Sequence, residues 1–456
     1  MPVPADPASG TPGATRPVSW AIEPVGPLRG DVTVRGSKNA VTKHLVAAVL
    51  GSTPSVVLNC PEIGDVDITA GMLRDLGCGV GLSEDGTVEV DPVGLDTGRV
   101  PASYAGLNRI PVLLLGPLLH RMGEAFVPLM GGDAIGPRPL DFHIACLEAF
   151  GAEVEMTPDG LEAKAVSLLG ARIRLPFPSV GATETVLLTA VLAEGRTVLE
   201  NSAIEPEVIE LALFLQRMGA RIELRPDRRF VIEGVDRLAG ARHSLAGDRI
   251  EAFSYLVAGL ATGGRVRVHG CAQDRLVTAI STLHRMGARF EITDEWVAAE
   301  ADSLGAAVVQ TDTHPGFMTD WQSPLVVLFT SCTGMSVLHE TVYEDRFPYV
   351  TALQKMGAEI ELYDACLGGR DCRFNESSYL HSAVVRGPSA LNGADITVPD
   401  IRAGFAYVLA AAAAEGPSLL HDVHRLERGY HRPFESFTSL GLHMARADDR
   451  SEASGT

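Results

Sequence analysis

The glycine-rich segment 129–141 combines residue types that suit proton transfer to a bound ligand. It reads Leu-Met-Gly-Gly-Asp-Ala-Ile-Gly-Pro-Arg-Pro-Leu-Asp and places Asp133 five residues before Arg138. Three glycines and two prolines describe a shaped loop that closes over a ligand and presents a carboxyl group to it. The ordinary alternative is a surface loop in which Asp133 only makes a turn.

Other polar residues stand at the predicted starts of helices. Lys38 begins a helix directly after a strand, where backbone N–H groups and an ammonium group favour an anion. Ser179 precedes a long apolar helix, Asp320 follows a Pro-Gly turn, and Asp400 stands two residues before Arg402. Each also has a structural explanation. Lys38 can be an ordinary surface lysine, Ser179 and Asp320 can be helix caps, and Asp400 with Arg402 can be a local ion pair.

An internal repeat must position these side chains. One pattern occurs six times: a predicted helix followed by an alternating strand. Each helix ends with a leucine, then two or three residues, then an apolar residue and a glycine; in the last, degenerate copy Phe437 replaces the leucine. The repeats have a period of roughly 70 residues, and a further alternating strand precedes most of the helices. The repeat glycines are Gly77, Gly151, Gly219, Gly287, Gly357 and Gly441.

Six small α/β units divide most simply into two domains of three, with their loops facing each other across a cleft. We expect one domain at residues 37–246 and the other at residues 18–36 together with 247–446. Residues 1–17, rich in Pro, Ala and Gly, predict a disordered extension, and residues 447–456 predict a flexible tail.

Composition limits the classes of partner. The formal net charge of −19 argues against nucleic-acid and membrane-surface binding, and no apolar run is long enough for a membrane span. Any anionic ligand must therefore meet a local cluster of basic residues.

The seven cysteines are an odd number, are scattered, and follow no apolar signal segment. We therefore expect a reduced, cytoplasmic protein. Cys366 and Cys372 lie close together, but their spacing matches no zinc motif, so we interpret them as unpaired thiols rather than metal ligands.

Taken together, the motifs resemble the UDP-N-acetylglucosamine 1-carboxyvinyltransferase family, enolpyruvyl transferases that share their fold with EPSP synthase. The resemblance extends from about Val32 to Leu442. It is carried by Gly-Ser-Lys38-Asn39, Arg109, Leu-Gly116-Pro117-Leu, Gly131-Gly-Asp133-Ala-Ile-Gly-Pro-Arg138-Pro139-Leu-Asp141, Ser179-Val180-Gly181-Ala-Thr-Glu184, Asp248-Arg-Ile-Glu, Thr319-Asp320, Glu340-Thr-Val342-Tyr-Glu-Asp-Arg346, Asp400-Ile-Arg402 and Arg428-Gly-Tyr430.

The resemblance implies an α/β fold of two inside-out α/β barrel domains, each of three βαβαββ-type repeats, with the active site in the interdomain cleft. It implies no metal, no organic cofactor, and a monomer or weak homo-oligomer. The partners would be phosphoenolpyruvate and a uridine nucleotide or nucleotide-sugar, and the product would enter peptidoglycan precursor synthesis.

The resemblance also implies a role for each matching residue in an addition–elimination reaction. Lys38, Arg138 and Arg428 would bind the phosphate and carboxylate of phosphoenolpyruvate, Asp133 would be the general acid, and Asp320 the base for the acceptor hydroxyl. The nucleotide-sugar would contact Asn39, Arg109, Asp141, Ser179, Val180, Gly181 and Val342. The remaining substrate-binding positions are Pro139, Asp400 and two arginines that would support the closed cleft, Arg346 and Arg402.

Three departures from the family pattern keep alternatives open. Asp133 replaces the usual cysteine, residues 41–44 read Val-Thr-Lys-His instead of apolar residues, and residues 364–382 form an insertion found in a subgroup of the family. One alternative is a paralogue that transfers enolpyruvate to another uridine nucleotide, such as UMP in nucleoside-antibiotic biosynthesis. Another is a non-catalytic nucleotide-sugar sensor, although a pure binder needs no paired proton donor and acceptor.

The replacement of cysteine by Asp133 leads to a test with fosfomycin, which alkylates that cysteine in the family. We expect fosfomycin to leave the activity of this protein unchanged, because a carboxyl group at this position offers no thiolate nucleophile. The measurement is residual activity after preincubation, and a time-dependent loss would contradict the prediction.

Overall fold

The computed structural model describes residues 18–132, 135–136, 139–369 and 372–448. Its α-helices are α1 (Lys38–Ala48), α2 (Gly64–Asp75), α3 (Pro111–Met122), α4 (Asp141–Ala149), α5 (Val180–Ala190), α6 (Pro206–Arg217), α7 (Arg249–Ala261), α8 (Val277–Arg285), α9 (Gln322–Ser331), α10 (Val350–Lys355), α11 (Ile401–Ala413), α12 (His424–Glu427) and α13 (Pro433–Ser439). Short 3-10 helices lie at Pro92–Gly94, Ala102–Tyr104, Gln273–Arg275 and Thr319–Trp321.

The strands alternate with these helices along the chain. They are β1 (Val18–Glu23), β2 (Arg29–Thr33), β3 (Ser55–Leu58), β4 (Gly79–Leu82), β5 (Val88–Asp91), β6 (Glu124–Pro128), β7 (Glu153–Thr157), β8 (Gly160–Lys164), β9 (Arg172–Arg174), β10 (Arg196–Glu200), β11 (Arg221–Arg225), β12 (Arg229–Glu233), β13 (Arg242–Ser244), β14 (Arg265–His269), β15 (Arg289–Ile292), β16 (Trp296–Glu300), β17 (Val308–Gln310), β18 (Gly334–His339), β19 (Glu359–Tyr363), β20 (Ser382–Gly387), β21 (Asp395–Thr397), β22 (Ser418–His421) and β23 (His443–Asp448).

Across the described residues the strands form six sheets, five of four strands and one of three. In each four-stranded sheet a parallel pair is followed by two antiparallel neighbours. The strand orders are β13-β3-β5-β4, β9-β10-β12-β11, β2-β14-β16-β15, β17-β18-β20-β19 and β21-β22-β1-β23, with β6-β8-β7 as the shorter sheet. This shared order confirms that the chain is built from six equivalent α/β units.

The repeat glycines explain how each unit turns from helix to strand. All six have φ between 94° and 112°, in the left-handed region that a side chain disfavours, and each follows the end of a helix. The predicted role of these glycines as helix terminators is therefore confirmed.

Three helices of the C-terminal half, α7, α9 and α11, lie inside the fold. Twelve of the 13 residues of α7 are buried, and so are nine of the 10 residues of α9 and 12 of the 13 residues of α11. A helix that is buried on all sides belongs to a core, and these three pack against one another. This arrangement is the inside-out α/β fold predicted from the sequence.

The buried apolar residues form two separate clusters. One includes side chains between Ala40 and Leu245, and the other joins residues 20–34 to side chains from Ile250 onward. Strands β1 and β2 pair with strands of the C-terminal half, β1 with β22 and β23 and β2 with β14. We propose domain limits at residues 36/37 and 246/247, where the chain passes between the two clusters.

Two chain segments run side by side at these crossings. The Ser37 N–H donates to the carbonyl of Ala246 at 3.0 Å, and the Asp248 N–H donates to the carbonyl of Arg35 at 2.8 Å. The Asp248 carboxylate caps the helices at both crossings. It accepts from the N–H of Lys38 in α1 at 2.9 Å and from the N–H of Ile250 in α7 at 2.7 Å.

None of the helices in the described ranges has the length and apolar character needed to cross a bilayer.

Gly247 allows the close approach at this crossing. A Cβ atom there would lie 2.0 Å from the carbonyl oxygen of Gly270, which is backbone and cannot rotate away. We expect Gly247→Ala to lower the free energy of unfolding by about 1–3 kcal/mol, as other overpacked sites do.

The matched control is Gly81→Ala, where a Cβ atom would meet nothing within 4 Å. Urea denaturation of both variants checks the prediction. Equal unfolding midpoints for the two variants would show that the crossing tolerates a side chain.

Candidate active site

A cavity of about 390 Å³ lies between the two hydrophobic clusters. Eight cationic and seven carboxylate side chains line the described part of the cavity, a small local excess of positive charge in a chain whose formal net charge is −19. The cations are Lys38, Lys43, Arg109, Arg249, Arg346, Arg373, Arg402 and Arg428. This is the local basic cluster that an anionic ligand of an acidic protein requires.

Asp65 holds two of these cations together. Its carboxylate lies 2.9 Å from the Nζ of Lys38 and 3.4 Å from the Nε of Arg428, so it joins a residue of α1 to a residue that follows α12. Burial tends to raise the pKa of Asp65, but the charges of Lys38 and Arg428 outweigh burial and hold that pKa below its usual value. Asp65 is therefore ionised at neutral pH.

Asp320 is held in the same way on the opposite wall. Its carboxylate accepts from the guanidinium of Arg346 and lies 3.6 Å from that of Arg402. Burial would raise the pKa of Asp320, but Arg402 and Arg346 overcome burial and lower the pKa to about 2. The cavity thus contains a carboxylate that stays charged and faces several cations.

Glu340 positions the segments on both sides of Asp320. Its carboxylate accepts from the Thr319 hydroxyl at 2.8 Å and from the N–H groups of Val342 at 2.7 Å and Tyr343 at 3.1 Å. It therefore fixes Val342 and the 3-10 turn that carries Asp320 relative to each other.

A buried ion pair supports the next part of the wall. Arg249 donates two hydrogen bonds to Glu207, at 2.9 and 3.0 Å, and its guanidinium lies over the ring of Trp321 at 5.5 Å. Glu184 also lines the cavity, and burial raises its pKa to about 7, while the charge of Lys43 opposes that rise.

The segment 178–181 forms the opposite rim. Ser179 caps α5 by accepting from the N–H of Ala182 at 3.4 Å, which confirms the capping interpretation of its sequence. Val180 and Gly181 line the cavity, and a Cβ atom at Gly181 would lie 3.0 Å from the ring of His143. The backbone here thus forms a shallow wall that a ligand can approach closely.

The described part of the 129–141 loop reaches across the cavity. The carbonyl of Ile135 accepts from the N–H of Asp345 at 3.3 Å, and a Cβ atom at Gly136 would lie 2.6 Å from the carboxylate of Glu344. Asp133 and Arg138 lie outside the described residues. The visible contacts nevertheless show the loop touching the other domain's residues, as a closed lid does.

Most of the other residues predicted for the site line this one cavity. They are Lys38, Asn39, Arg109, Pro139, Asp141, Ser179, Val180, Gly181, Asp320, Val342, Arg346, Arg402 and Arg428. Asp400 is not part of this lining: its carboxylate caps α11 by accepting from the N–H groups of Arg402 at 2.8 Å and Ala403 at 3.0 Å.

Several lining residues were not assigned a role from the sequence. Asp65 and Glu205 belong to none of the motifs described above, and Arg249 stands in the Asp248-Arg-Ile-Glu motif without a role of its own. Lys43 and Arg373 stand in segments that depart from the family pattern. The signal that could have identified Asp65 was its place at the start of a repeat helix, α2, where Lys38 stands in α1.

The charge environment of Asp320 predicts a pH-dependent contribution to stability. A lowered pKa means that Asp320 stabilises the folded state above the pKa of the unfolded chain, and this stabilisation is lost as the pH falls towards about 2. Asp320→Asn should therefore reduce the free energy of unfolding by about 2 kcal/mol at pH 7 and by progressively less below about pH 4.

The control is Asp236→Asn, because Asp236 is exposed and its replacement should change stability little at any pH. Thermal denaturation across a pH series gives both differences. A deficit for Asp320→Asn that stays constant down to pH 3 would contradict the lowered pKa.

Comparison with known proteins agrees with the fold. Residues 22–437 match the family model of EPSP synthase (3-phosphoshikimate 1-carboxyvinyltransferase). A UDP-N-acetylglucosamine 1-carboxyvinyltransferase of Protochlamydia amoebophila is 41% identical over 434 residues, which cover 93% of each chain. The enzyme of the same name from Chlamydia abortus is 42% identical over 92% of this chain and 97% of its own.

Solved structures show the same architecture. The enolpyruvyl transferase NikO from Streptomyces tendae superposes with a TM-score of 0.82 and 25% identity, over 94% of this chain and 99% of its own. EPSP synthase from Acinetobacter baumannii has a TM-score of 0.71 at 18% identity, over 94% of this chain and 100% of its own, and it supports the fold alone. The chain belongs to the EPSP synthase family, and it is a transferase of the carboxyvinyltransferase class.

Proposed function

We propose that the protein transfers the enolpyruvyl group of phosphoenolpyruvate to the 3-hydroxyl of UDP-N-acetylglucosamine and releases phosphate. This reaction would be the first committed step of peptidoglycan precursor synthesis. The observation that carries the proposal is one cavity lined both by a carboxylate, Asp320, and by cations that include Lys38 and Arg428. A trianionic small substrate needs those cations, and an attacking hydroxyl needs a base.

The cations would bind phosphoenolpyruvate through its phosphate and carboxylate oxygens. Lys38 and Arg428 already share Asp65, so the anion would add to a charge network that is assembled before the substrate arrives. Arg138 would complete this set, as expected from its sequence motif. Such preorganised charge stabilises the phosphate as it leaves.

The chemistry would proceed by addition and then elimination. Asp133 would give its proton to the methylene carbon, whose C=C electron pair forms the new C–H bond and leaves a cationic carbon bearing the phosphate ester. The acceptor oxygen would bond to that carbon while its proton passes to Asp320. The Asp133 carboxylate would then take a proton from the methyl group, whose C–H electron pair re-forms the C=C bond as phosphate leaves with the C–O bond electrons.

A pKa of about 2 for Asp320 is compatible with this role. The acceptor hydroxyl becomes strongly acidic as its oxygen bonds to the cationic carbon, so a weak base suffices. The nearby arginines ensure that Asp320 is unprotonated when the acceptor binds. Its proton would then be lost again to solvent or product before the next turnover.

The acceptor is proposed from the relatives. The chain is 41% and 42% identical to enzymes named for UDP-N-acetylglucosamine, over more than nine-tenths of its length. A uridine nucleotide such as UMP is the second candidate, favoured by the likeness to NikO and by the unusual residues after Asn39, since Lys43 lines the cavity. The lower identity of 25% to NikO makes it the weaker candidate.

Phosphate release tests the proposed function. Purified protein with phosphoenolpyruvate should release phosphate when UDP-N-acetylglucosamine is added, and should not do so with UMP. Asp320→Ala should slow turnover by about 10²–10⁴-fold, which is the usual contribution of a positioned base. Asp236→Asn, at an exposed site, is the control and should match the wild type.

The two acceptors separate the two candidate functions. Release with UMP alone would support the paralogue, and release with neither acceptor would contradict enolpyruvyl transfer to both. Full activity of Asp320→Ala would remove Asp320 from the mechanism while leaving the acceptor assignment intact.

A further inference from the structure

Two cysteines and two histidines meet at one end of the sheet β17-β18-β20-β19. One ligand atom from each of His339, Cys366, Cys372 and His381 lies within 4.8 Å of all the others. The sulfur atoms of Cys366 and Cys372 are 3.7 Å apart, and the Sγ of Cys366 is 3.4 Å from the Nε2 of His381. The sulfurs are too far apart for a disulfide bond, which measures about 2.05 Å.

These separations fit the edges of a zinc tetrahedron. With Zn–S bonds of about 2.3 Å and Zn–N bonds of about 2.05 Å, a tetrahedral site has S–S edges of about 3.8 Å and S–N edges of about 3.6 Å. The observed 3.7 and 3.4 Å are close to both values. Two thiolates and two imidazoles are also a ligand set that structural zinc sites use.

The sheet places the two histidines. His339 is the last residue of β18, and His381 immediately precedes β20, whose first residue Ser382 pairs in register with His339. Strand β19 ends at Tyr363, also opposite Ser382. The loop that carries both cysteines follows β19 at this end of the sheet. The strands thus hold the two histidines in place, and the loop folds back so that its cysteines lie beside them.

Hydrogen bonds orient the two imidazole rings. The Ser382 hydroxyl donates to the carbonyl of Ala365 at 2.7 Å, so its oxygen accepts from the Nδ1–H of His339 at 2.9 Å. The Nδ1–H of His381 donates to the carbonyl of Tyr379 at 2.7 Å. Both rings therefore carry their lone pair on Nε2, and zinc-binding histidines are oriented by this kind of second hydrogen bond.

The loop is fitted closely around the cluster. A Cβ atom at Gly368 would lie 2.5 Å from the ring of His339, so the loop backbone rests on that ring. The buried side chain of Phe374 makes an edge contact with His381 at 5.9 Å between ring centres. The Phe374 N–H donates to the sulfur of Cys372 at 3.3 Å.

A second group of metal-ligating residues lacks these features. His44, Glu210 and His243 also lie close together, but Arg217 contacts the Nδ1 of His243 at 2.8 Å, and Arg275 contacts Glu210 at 3.1 Å. Arginine side chains therefore already contact the ligand atoms that a metal would need, so this group is a buried ion-pair network.

We propose that His339, Cys366, Cys372 and His381 form a structural Zn²⁺ site. The site lies outside the residues assigned to the reaction, and the zinc would hold the inserted loop rather than take part in chemistry. The loop continues directly into Arg373, which lines the active-site cavity.

The contacts of Arg373 show what the ordered loop supports. Its guanidinium donates to the carbonyl of Val342 and, at 2.9 Å, to Glu344, and it stacks on Phe177 at 4.8 Å. Phe177 belongs to the segment before α5, on the other side of the cavity. Zinc would therefore fix a positioning residue, Arg373, that bridges the two walls of the cleft.

Metal analysis of the purified full chain under reducing conditions tests the site. We expect about one zinc ion per chain, retained through gel filtration. The double variant Cys366→Ser/Cys372→Ser should lose this zinc, whereas Cys146→Ala, a buried cysteine in the other domain's core, should keep it. Undiminished zinc in the double variant would place the metal elsewhere and overturn the proposal.

Cobalt substitution of the wild type tests the same site without relying on a variant that folds. Chelated wild-type protein should bind one Co²⁺ and show the intense visible bands of a tetrahedral thiolate site. Chelation should also speed tryptic cleavage after Arg373, measured by mass spectrometry, relative to zinc-loaded protein. Absence of both zinc and cobalt, or a Cys366–Cys372 disulfide under reducing conditions, would contradict the proposal; neither result depends on the activity assay.

Discussion

Carboxylates hold the cationic side chains around one cavity, and the rest of the site depends on this balance. Asp65 joins Lys38 to Arg428, and Asp320 joins Arg346 to Arg402. Without the carboxylates the cations would repel one another in a space of low dielectric. With them, the cavity remains assembled and still presents enough positive charge for an anionic substrate.

The fold contributes to this balance because one of the pairs, Asp65 with Arg428, joins the two hydrophobic clusters. Lys38 and Asp65 belong to the first hydrophobic cluster's helices, while Arg428 and Asp320 are attached to the second. The double crossing at Asp248 brings the start of α1 and the start of α7 to the same carboxylate. The Asp65–Arg428 contact and the shared cap at Asp248 therefore fix the two clusters relative to each other around the cavity.

Much of the fold could be predicted from the sequence, because each repeat carries its own local signal. The left-handed glycine after a helix and the alternating strand beyond it are determined by neighbouring residues, so six copies were recognisable. Site residues at helix starts, such as Lys38 and Ser179, were recognisable for the same reason. The fold class and the family followed from the order of these motifs.

Other residues could not be predicted, because their partners are distant in the chain. Arg249 is held in the cavity wall by its ion pair with Glu207, which lies 42 positions earlier in the chain. His339 and Ser382 are 43 positions apart, and only the register of β18 and β20 brings the histidine to the cysteines. The spacing of Cys366 and Cys372 alone matched no zinc motif. The Asp400 carboxylate caps α11, and its place in the substrate site stays a prediction.

The central claim is that a charged carboxylate and a cation cluster drive addition followed by elimination. The most direct measurement is proton NMR of the enolpyruvyl product formed in D₂O from unlabelled phosphoenolpyruvate. Addition of a solvent deuteron makes a rotating methyl group, so elimination should leave deuterium in the product's methylene. A product that forms over many turnovers with both methylene protons fully retained would contradict the account.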